Sequence, residues 1–518
     1  MNNSGKLIYN WPGSDFNDSA YFSDASQFSE DLYDVVIVGA GVVGCALAYK
    51  LAMYKLNVLL LDKKFDVGEA TSKGNSAIIH TGFDTAVGTL ESQLVTKASK
   101  LWPELARKLK IPFEECGAYL LAIDEDQNKQ LDKVYQKALK NGVDDVQIIS
   151  KEEAQKNEPN ISDDVIRALS IPRESIADPF GTSVAFAEVA LANGTDILFG
   201  TEIKDILDAD KVTKKLVTKD NHQIKTRIIV NVAGLGSRNL ADLYDGEHFD
   251  INPRRGQFLI FDKVSRSSIK RILLPIPTAQ TKGVLVIPTI FGNLLAGPTA
   301  EDFTDGEAEA SDTTLDMLES LLKGASTLFP DLINKPVIGN FSGVRCNCSQ
   351  GSYLIRCNDG HDGILTVTGI RSTGFTTSPA LAEYLINELQ DKSGLSLEKN
   401  PDASDSRPES SWPGWWKRPF NSEEMLKENS DYGKVVCYCE QISQGEIIDQ
   451  LNSGLKPITL DAIKRRTRAQ MGRCQGFDCQ VRVADIISDH IGIPLSKVTK
   501  HGPESEIIPD HLKTEIVD

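Results

Sequence analysis

Short apolar runs bounded by glycine, proline and polar residues recur along most of this chain. The runs 35–38 and 58–61 are rich in valine and leucine, and a helical stretch of about 42–54 lies between them. Together they predict two buried strands joined by a helix. Residues of about 85–165 carry mainly helical patterning, whereas short apolar runs over about 250–340 predict antiparallel strands. We therefore expect an α/β fold, α+β overall, with a second, antiparallel sheet.

A glycine-rich turn follows the first of these strands. Gly39, Gly41 and Gly44 have the spacing G-x-G-x-x-G, and the second strand ends at Asp62. In such a turn the first glycine permits the tight bend, the second lets the backbone approach a pyrophosphate, and the third packs the helix on the strand. The helix N-terminus then faces the diphosphate, and the acid accepts hydrogen bonds from ribose hydroxyls. The motif predicts a dinucleotide site, but it does not separate FAD from NAD.

Near the other end of the chain, four cysteines are grouped as Cys437, Cys439, Cys474 and Cys479. Structural zinc prefers cysteine pairs separated by two to four residues, so a one-residue gap is unusual for zinc. A [2Fe–2S] cluster tolerates varied spacings. Either site carries a net charge of roughly 2−, so charge does not decide between them, and free thiols are a third reading. A basic run offsets the charge in either case, unless it is a solvated face or a partner-docking patch: Lys464, Arg465, Arg466, Arg468 and Arg473.

Composition narrows the functional classes. The chain has 518 residues, a net charge of −17 and a pI near 5.0. An acidic chain repels phosphate backbones, so we expect no nucleic-acid partner. No apolar run approaches the roughly 20 residues of a membrane span, and residues 1–30 lack signal-peptide features and are predicted to form a mobile tail. The nine unevenly spaced cysteines argue for a reducing, cytoplasmic compartment.

Four further segments carry a family resemblance. They are "GEATSKGNSAIIHTGFD" (68–84), "IIVNVAGLGSR" (228–238), "FSGVRCN" (341–347) and "LTVTGIRSTGFTTSPALAEYL" (365–385). The chain resembles the FAD-binding D-amino acid oxidase superfamily, and in particular its glycerol-3-phosphate dehydrogenase and L-2-hydroxyglutarate oxidase-like branch. The resemblance implies a Rossmann-like FAD-binding domain and an antiparallel-sheet substrate domain. It also implies that FAD contacts the glycines and acid above and a further set: Lys63, Thr71, Ser72, Asn75, Ser76, Ala233, Gly234, Gly369, Gly374, Phe375 and Thr376.

The cysteine segment "VCYCEQIS…GRCQGFDC" has a resemblance of its own. It is similar to the domain of bacterioferritin-associated ferredoxin, a small helical [2Fe–2S] fold. The resemblance implies that Cys437, Cys439, Cys474 and Cys479 bind a [2Fe–2S] cluster. We expect the remaining cysteines to be packing residues: Cys45, Cys116, Cys346, Cys348 and Cys357.

His80 and Arg345 are the candidates for chemistry. Oxidation of an alcohol or amine by a flavin needs a base for the proton, and a cation usually anchors an acidic substrate. We expect His80 to serve as the base, with a structural histidine as the alternative, and Arg345 to bind the substrate anion, with an internal salt bridge as the alternative. Arg254 and Arg255 are weaker candidates. At Asp84 an acid stands where the membrane-bound glycerol-3-phosphate dehydrogenases have an arginine, which disfavours a phosphate substrate.

The predicted organisation follows from these segments. Residues 31–395 form the FAD-dependent oxidoreductase domain, with an FAD part over about 31–84, 165–250 and 340–395 and a substrate part over about 85–165 and 250–340. A linker at 396–431 leads to a [2Fe–2S] domain at 432–505 and a tail at 506–518, and we expect the linker tryptophans Trp412, Trp415 and Trp416 to pack on the flavin domain.

The predicted function combines the two cofactors. We expect a dehydrogenase that oxidises a small anionic secondary alcohol, a 2-hydroxy acid or a glycerol-3-phosphate-like compound, to the ketone. Electrons would leave through the cluster to an external acceptor such as a ferredoxin, a quinone or another carrier. The alternatives are C–N oxidation of an amino acid, imino acid or opine, and an electron-transfer protein without a metabolite substrate.

Overall fold

The computed structural model describes residues 4–11, 22, 25–28, 31–210, 212–244, 248–277, 283–303, 311–357, 363–408 and 418–508. Within these residues the strands are β1 (Leu7–Tyr9), β2 (Leu32–Val38), β3 (Val58–Leu61), β4 (Ile78–Ile79), β5 (Phe113–Glu114), β6 (Ala118–Ala122), β7 (Gln147–Ser150), β8 (Arg167–Ile171), β9 (Ser175–Ala177), β10 (Asp196–Phe199), β11 (Ile203–Asp208), β12 (Lys214–Thr218), β13 (Gln223–Asn231), β14 (Ile251–Phe261), β15 (Ile272–Pro275), β16 (Leu285–Pro288), β17 (Leu294–Gly297), β18 (Glu301–Asp302), β19 (Val337–Cys348), β20 (Leu354–Cys357), β21 (Ile364–Thr368), β22 (Val435–Cys437) and β23 (Ile442–Ser443).

The α-helices of the same residues connect and cover these strands. They are α1 (Val42–Leu51), α2 (Leu90–Lys108), α3 (Glu125–Lys140), α4 (Lys151–Asn157), α5 (Pro179–Ala192), α6 (Ser237–Ala241), α7 (Leu315–Ser326), α8 (Gly374–Ser393), α9 (Glu423–Glu428), α10 (Gln444–Leu451), α11 (Leu460–Thr467) and α12 (Gln480–Ile491). No helix among the described residues is long and apolar enough to span a membrane.

The first sheet is the Rossmann-like unit that the glycine motif predicts. Its strands run in the order β1-β10-β3-β2-β13-β12-β11, and β21 pairs with β13 and β20. The pairings of β10, β3, β2, β13 and β21 are parallel. Both faces of the sheet are covered, with α1 packed against α5 and α8 on one side. Residues 35–38 of β2 and the whole of β3 are therefore continuous apolar runs, as expected of buried parallel strands.

The amino-terminal segment corrects one prediction. Strand β1 pairs in parallel with β10, so that Leu7 lies beside Ile197, and Tyr9 is buried. The hydroxyl of Tyr9 donates to the backbone oxygen of Leu455 at 2.7 Å, in the cysteine-bearing domain. The prediction of a mobile tail over residues 1–30 is thus wrong for β1, because its apolar side chains complete the edge of the sheet.

The second sheet is mainly antiparallel, as predicted. Its strands run β18-β14-β17-β16-β15-β6-β8-β7, and β19 pairs with β14 along the whole length of β14. Residues 85–165, assigned to the substrate part, supply β6 and β7 to this sheet in addition to the predicted helices. Strand β19, most of which was assigned to the FAD part, also belongs to this sheet. Alternation of apolar residues predicts a strand but does not determine which strand pairs with it.

The cysteine-bearing segment folds as a small domain against the first sheet. The hairpin β22–β23 precedes α10, α11 and α12, and apolar residues such as Val436, Leu451 and Ile487 are buried in one core with those of α1 and α5. Part of the predicted linker also packs on the flavin domain, because Arg407 forms a buried ion pair with Glu188 at 2.7 Å. The linker tryptophans Trp412, Trp415 and Trp416 lie outside the described residues.

Candidate active site and cysteine centre

The glycine turn has the backbone that a dinucleotide site requires. Gly39 has φ +117°, and a Cβ there would lie 2.6 Å from the carbonyl oxygen of Val232. A Cβ on Gly44 would collide with the carbonyl oxygen of Gly39. Gly41 is the N-cap of α1 and supplies no side-chain cap. The turn therefore presents the helix N-terminus to a pyrophosphate, and this geometry supports the prediction.

Asp62 and the loop after it close around the same helix end. The carboxylate of Asp62 accepts hydrogen bonds from the backbone N–H groups of Ala40 at 2.7 Å and Lys64 at 2.8 Å. Burial raises the pKa of Asp62, which these two bonds oppose. The hydroxyl of Ser72 accepts from the Val42 N–H at 3.0 Å, so the loop is held against α1.

The other predicted loop residues differ in their surroundings. Thr71 donates to the carbonyl oxygen of Val344 at 2.9 Å, which joins the loop to β19. Asn75 accepts from the Ala77 N–H at 2.7 Å and shapes the end of the loop. Ser76 is half-buried and Lys63 is exposed. Because Val344 precedes Arg345, the Thr71 contact places the candidate arginine next to the cofactor loop.

Three glycine-containing turns meet at one edge of the first sheet. Gly39 follows β2, Gly234 (φ +58°) follows β13, and Gly369 (φ +68°) follows β21. Because these strands are adjacent and parallel, their carboxyl ends share the crevice where α/β folds bind ligands. The structure therefore brings together residues that the sequence predicts separately, including Ala233, which lies next to Gly39.

Helix α8 begins at Gly374, and its N-cap, Thr373, also lacks a side-chain cap. Phe375 packs against Trp102 with ring centroids 5.3 Å apart. The hydroxyl of Thr376 accepts from the His80 N–H at 3.0 Å. Both side chains are buried in protein contacts, and the predicted contact of Phe375 and Thr376 with the cofactor stays a prediction.

His80 has a buried carboxylate partner that the sequence analysis missed. Its Nδ1 lies 3.3 Å from Oε1 of Glu174, and Oε2 of Glu174 accepts from the Thr81 N–H at 3.0 Å. Glu174 lies in the turn between β8 and β9 and is 1% exposed. The carboxylate assigns Nδ1 as its hydrogen-bond donor and leaves Nε2 to accept a proton. In the sequence, Glu174 beside Arg173 resembles any surface acid, and no local signal identifies it.

Two of the three candidate arginines of the second sheet form ion pairs with nearby carboxylates. Arg254 forms a bidentate pair with Asp302 at 2.6 and 2.8 Å, and Arg255 binds Glu301 at 2.9 Å. Arg345 lies opposite Arg254 on β19 and donates to the backbone oxygen of Thr299 at 2.8 Å.

Among the described residues, no carboxylate forms an ion pair with Arg345. Burial lowers the pKa of Arg345 to about 10, Arg254 contributes to the shift, and Asp302 opposes it. Arg345 therefore stays cationic at neutral pH and forms no ion pair within the described part of the chain, whereas Arg254 and Arg255 each bind a carboxylate.

The four cysteines of the small domain approach each other as two pairs. Cys437 contacts Cys479, and Cys439 contacts Cys474. The hydrogen bond from Cys479 lowers the pKa of the Cys437 thiol to about 6, against the effect of burial, and the backbone N–H groups of Gln470 and Glu440 act in the same direction.

Two pairs of thiols with backbone donors fit a cluster in which two cysteines serve each iron. Within the described residues, no group of three or more His, Cys, Asp or Glu side chains has the arrangement needed to bind a single metal ion.

Most arginines of the basic run have acidic partners in other segments of the chain. Arg465 and Arg466 both bind Asp66 at 2.6 Å, and Arg465 also binds Glu69 at 2.7 Å. All four side chains are buried between α11 and the loop that follows β3. Burial opposes ionisation of Asp66, but the two arginines outweigh it and lower its pKa to about 2.

The other two arginines of the run pair with acids as well. Arg468 binds Glu440 and Arg473 binds Asp262. Most of the run therefore joins domains and neutralises carboxylates. Arg473 also interacts electrostatically with Cys439, and the role of the run in offsetting the charge at the cysteines stays a prediction.

The remaining cysteines agree with a packing role where they are buried. The thiol of Cys346 donates to the Gly234 carbonyl oxygen at 3.4 Å. None of the nine cysteines, all within the described residues, forms a disulfide bond.

The fold, the glycine crevice and the paired thiols define a flavin and iron–sulfur oxidoreductase. Residues 34–388 match the family model of FAD dependent oxidoreductases, and residues 435–489 match the BFD-like [2Fe-2S] binding domain. The chain belongs to the FAD dependent oxidoreductase family and carries a carboxyl-terminal [2Fe–2S] domain. It is an FAD-dependent dehydrogenase of the CH–OH class.

Individual relatives agree with this class. The chain is 36% identical to the glycerol 3-phosphate dehydrogenase of Caloramator mitchellensis, over 94% of this chain and 100% of that protein. It is 29% identical to the mitochondrial L-2-hydroxyglutarate dehydrogenase of Dictyostelium discoideum, over 52% of this chain and 65% of that protein. The solved L-alpha-glycerophosphate oxidase of Mycoplasma pneumoniae with FAD bound superposes with a TM-score of 0.69 at 30% identity, over 73% of this chain and 98% of that chain.

Proposed function

We propose that this dehydrogenase oxidises the secondary alcohol of glycerol 3-phosphate to the ketone. The observation that carries the proposal is the half-buried guanidinium of Arg345 beside the cofactor loop, which forms no ion pair among the described residues. A partly buried arginine without an ion-pair partner is unfavourable unless an anion binds it. Relatives named for glycerol 3-phosphate, at 36% and 31% identity, support a phosphate as that anion. The expectation that Asp84 disfavours a phosphate stays a prediction, and L-2-hydroxy acids are therefore the competing substrates.

Each of the two side chains has a distinct task in this proposal. Arg345 binds the substrate anion and so fixes the position of the alcohol carbon. His80, held by Glu174 and by the hydroxyl of Thr376, accepts the alcohol proton at Nε2. Bound FAD supplies acceptance of the C–H hydrogen as hydride, and the [2Fe–2S] centre supplies transfer of single electrons. We also propose an external electron acceptor and a cytoplasmic location.

The test is an anaerobic substrate screen of the full-length holoprotein. Glycerol 3-phosphate, glycerol, L-2-hydroxyglutarate and glycine are mixed separately with the protein while flavin absorbance is recorded. Rapid bleaching by glycerol 3-phosphate, with little by glycerol, is the expected result because Arg345 needs an anion. Faster bleaching by L-2-hydroxyglutarate would show that Arg345 binds a substrate carboxylate and that glycerol 3-phosphate is not the substrate. Ammonia release from glycine would overturn the proposed oxidation of an alcohol.

A further inference from the structure

The cysteine centre has one side open to solvent. Cys437 and Cys479 are buried, whereas Cys439 is exposed. Large apolar side chains are exposed at positions next to the cysteines in the sequence: Phe477 is 96% exposed, Tyr438 is 65% exposed, and Val481 is also exposed at the start of α12. Exposed apolar groups of this size are unfavourable in water unless a partner covers them, so their position around a redox centre indicates an interaction surface.

Two ion pairs beside these residues expose the cation more than the acid. The side chain of Arg473 is 71% exposed, while its partner Asp262 is 9% exposed. Lys263 is likewise more exposed than its partner Glu440. Arg482 lies over the Tyr438 ring at 5.2 Å, and its partner Asp478 is the more exposed of that pair. In a chain of net charge −17, this surface therefore presents the charges of Lys263 and Arg473 to an approaching molecule.

The surface extends from the cysteine domain onto the second sheet. A cleft of about 190 Å³ between them is lined by Asp262, Lys263, Asn293, Ile338, Cys439, Glu440, Gly472 and Arg473. Pockets for small organic ligands are usually about 300–1,000 Å³ and mainly apolar. The small, charged cleft thus fits a protein surface better than a quinone ring.

We propose that this carrier surface (Tyr438, Phe477 and Val481, bordered by Lys263, Arg473 and Arg482) docks an acidic one-electron carrier protein. The apolar residues would form the centre of the contact and the cations its rim, as in short-lived redox encounters that bury less than about 1,200 Å². A second copy of this chain would bring its own cations against the same rim, which disfavours self-association here. The identity of the carrier as acceptor rests on the proposed function, but its binding does not.

The experiment measures binding of the oxidised holoprotein by calorimetry. The probes are an acidic [2Fe–2S] ferredoxin and a basic cytochrome of similar size, each at low and at moderate ionic strength. We expect Phe477→Ser to weaken ferredoxin binding about tenfold or more, because exposed aromatic residues at the centre of an interface are frequent hot spots. Arg482→Glu should weaken it and reduce its dependence on salt. Val212→Ser and Lys204→Glu, at exposed sites near the β11 edge of the first sheet, are the matched controls and should bind as wild type.

Three results would overturn the proposal. Unchanged ferredoxin affinity in Phe477→Ser, Val481→Ser and Arg482→Glu, with normal cluster absorbance, would show that this surface does not bind the carrier. Loss of a dimer in these variants would assign the face to a second copy, and quinone reduction without carrier binding would assign it to a small molecule. Failure of glycerol 3-phosphate to bleach the flavin would overturn only the proposed function, because binding is measured without substrate.

Discussion

The candidate substrate site and the cysteine centre are built in opposite ways. His80, Glu174 and Arg345 come from three separate segments, on or beside β4, β9 and β19, and their positions depend on the packing of two sheets. The four cysteines lie in two short turns of one small domain, and their pairing depends on local backbone. The first site therefore distributes its chemistry over long-range contacts, whereas the second concentrates it in a compact module. A variant in one region should impair one half-reaction and spare the other.

Removing the arginine of the substrate site is expected to have the largest effect. Arg345→Met should lower kcat/KM for flavin bleaching about 10³-fold, since loss of one partner from a buried charged pair costs roughly 2–5 kcal/mol. Stopped-flow bleaching with glycerol 3-phosphate measures it. Cluster absorbance and reoxidation by the carrier should stay normal.

Arg254→Met is the control for this variant. Arg254 is already paired with Asp302 at the surface, so its removal should change kcat/KM by less than about threefold. An equal loss in both variants would mean that the two arginines share one structural role and that Arg345 is not the anion site.

The buried ion pairs that join the two regions come next in magnitude. Asp66→Asn removes the charge that Arg465 and Arg466 bind, and breaking such a buried pair costs about 3 kcal/mol of unfolding free energy. Urea titration at pH 7 measures this cost, and Asp478→Asn, in an exposed pair with Arg482, should cost less than about 1 kcal/mol.

The same pair of variants gives a pH dependence of known sign. The folded-state pKa of Asp66, about 2, is below its ordinary value of 3.8. Its stabilisation is therefore fully present above pH 3.8 and is lost as the pH falls towards 2. The stability difference between wild type and Asp66→Asn should narrow over this window. A difference that is constant with pH would contradict the ionic origin of the contact.

The two regions also differ in how much their sequences revealed. The glycine turn and the four cysteines are local motifs, and each lies where the motif predicts. Glu174, Asp66 and Glu69 were not predicted, because their partners are far away in the chain and a buried acid has the same letter as a surface acid. Asp66 and Glu69 had one usable signal, since an acidic pair beside the cofactor loop complements the basic run of α11. No comparable signal pointed to Glu174.

The fold shows the same division between local and long-range information. The parallel strands and the antiparallel sheet follow from periodicity, but the pairing of β19 with β14 and of β1 with β10 does not. Because β1 has only three residues and precedes a long polar segment, the sequence predicts a mobile tail there. Only its pairing with β10 in the structure identifies it as a strand. The place of Arg345 in the second sheet depends on such a pairing, so only the structure could show that no described carboxylate forms an ion pair with it.

At the cysteine centre, Cys474→Ser should reverse the pattern expected for Arg345→Met. Mutation of residues that only hydrogen-bond to metal ligands typically lowers metal affinity or activity by about 10–100-fold. Loss of a predicted ligand should therefore slow turnover with the carrier about 100-fold. Bleaching of the flavin by substrate in a single turnover should be unchanged. Cys357→Ser, at a half-buried free thiol on β20, is the control and should turn over normally. Full carrier turnover in Cys474→Ser would show that the cysteine-bearing domain has a structural role and does not transfer electrons to the carrier.

Glu174 provides the smallest and most discriminating effect. Glu174→Gln keeps the shape and an oxygen for the Thr81 N–H but removes the charge beside His80. As a positioning residue, Glu174 should affect proton acceptance and not substrate binding, so we expect kcat for flavin bleaching to fall about tenfold with KM unchanged. The matched control is Glu158→Gln, because Glu158 is equally buried and accepts backbone N–H groups of Lys270 and Arg271 away from His80. That variant should lose stability and keep kcat. A raised KM with normal kcat in Glu174→Gln would show instead that the carboxylate shapes the pocket, and His80 would then need another partner to orient it.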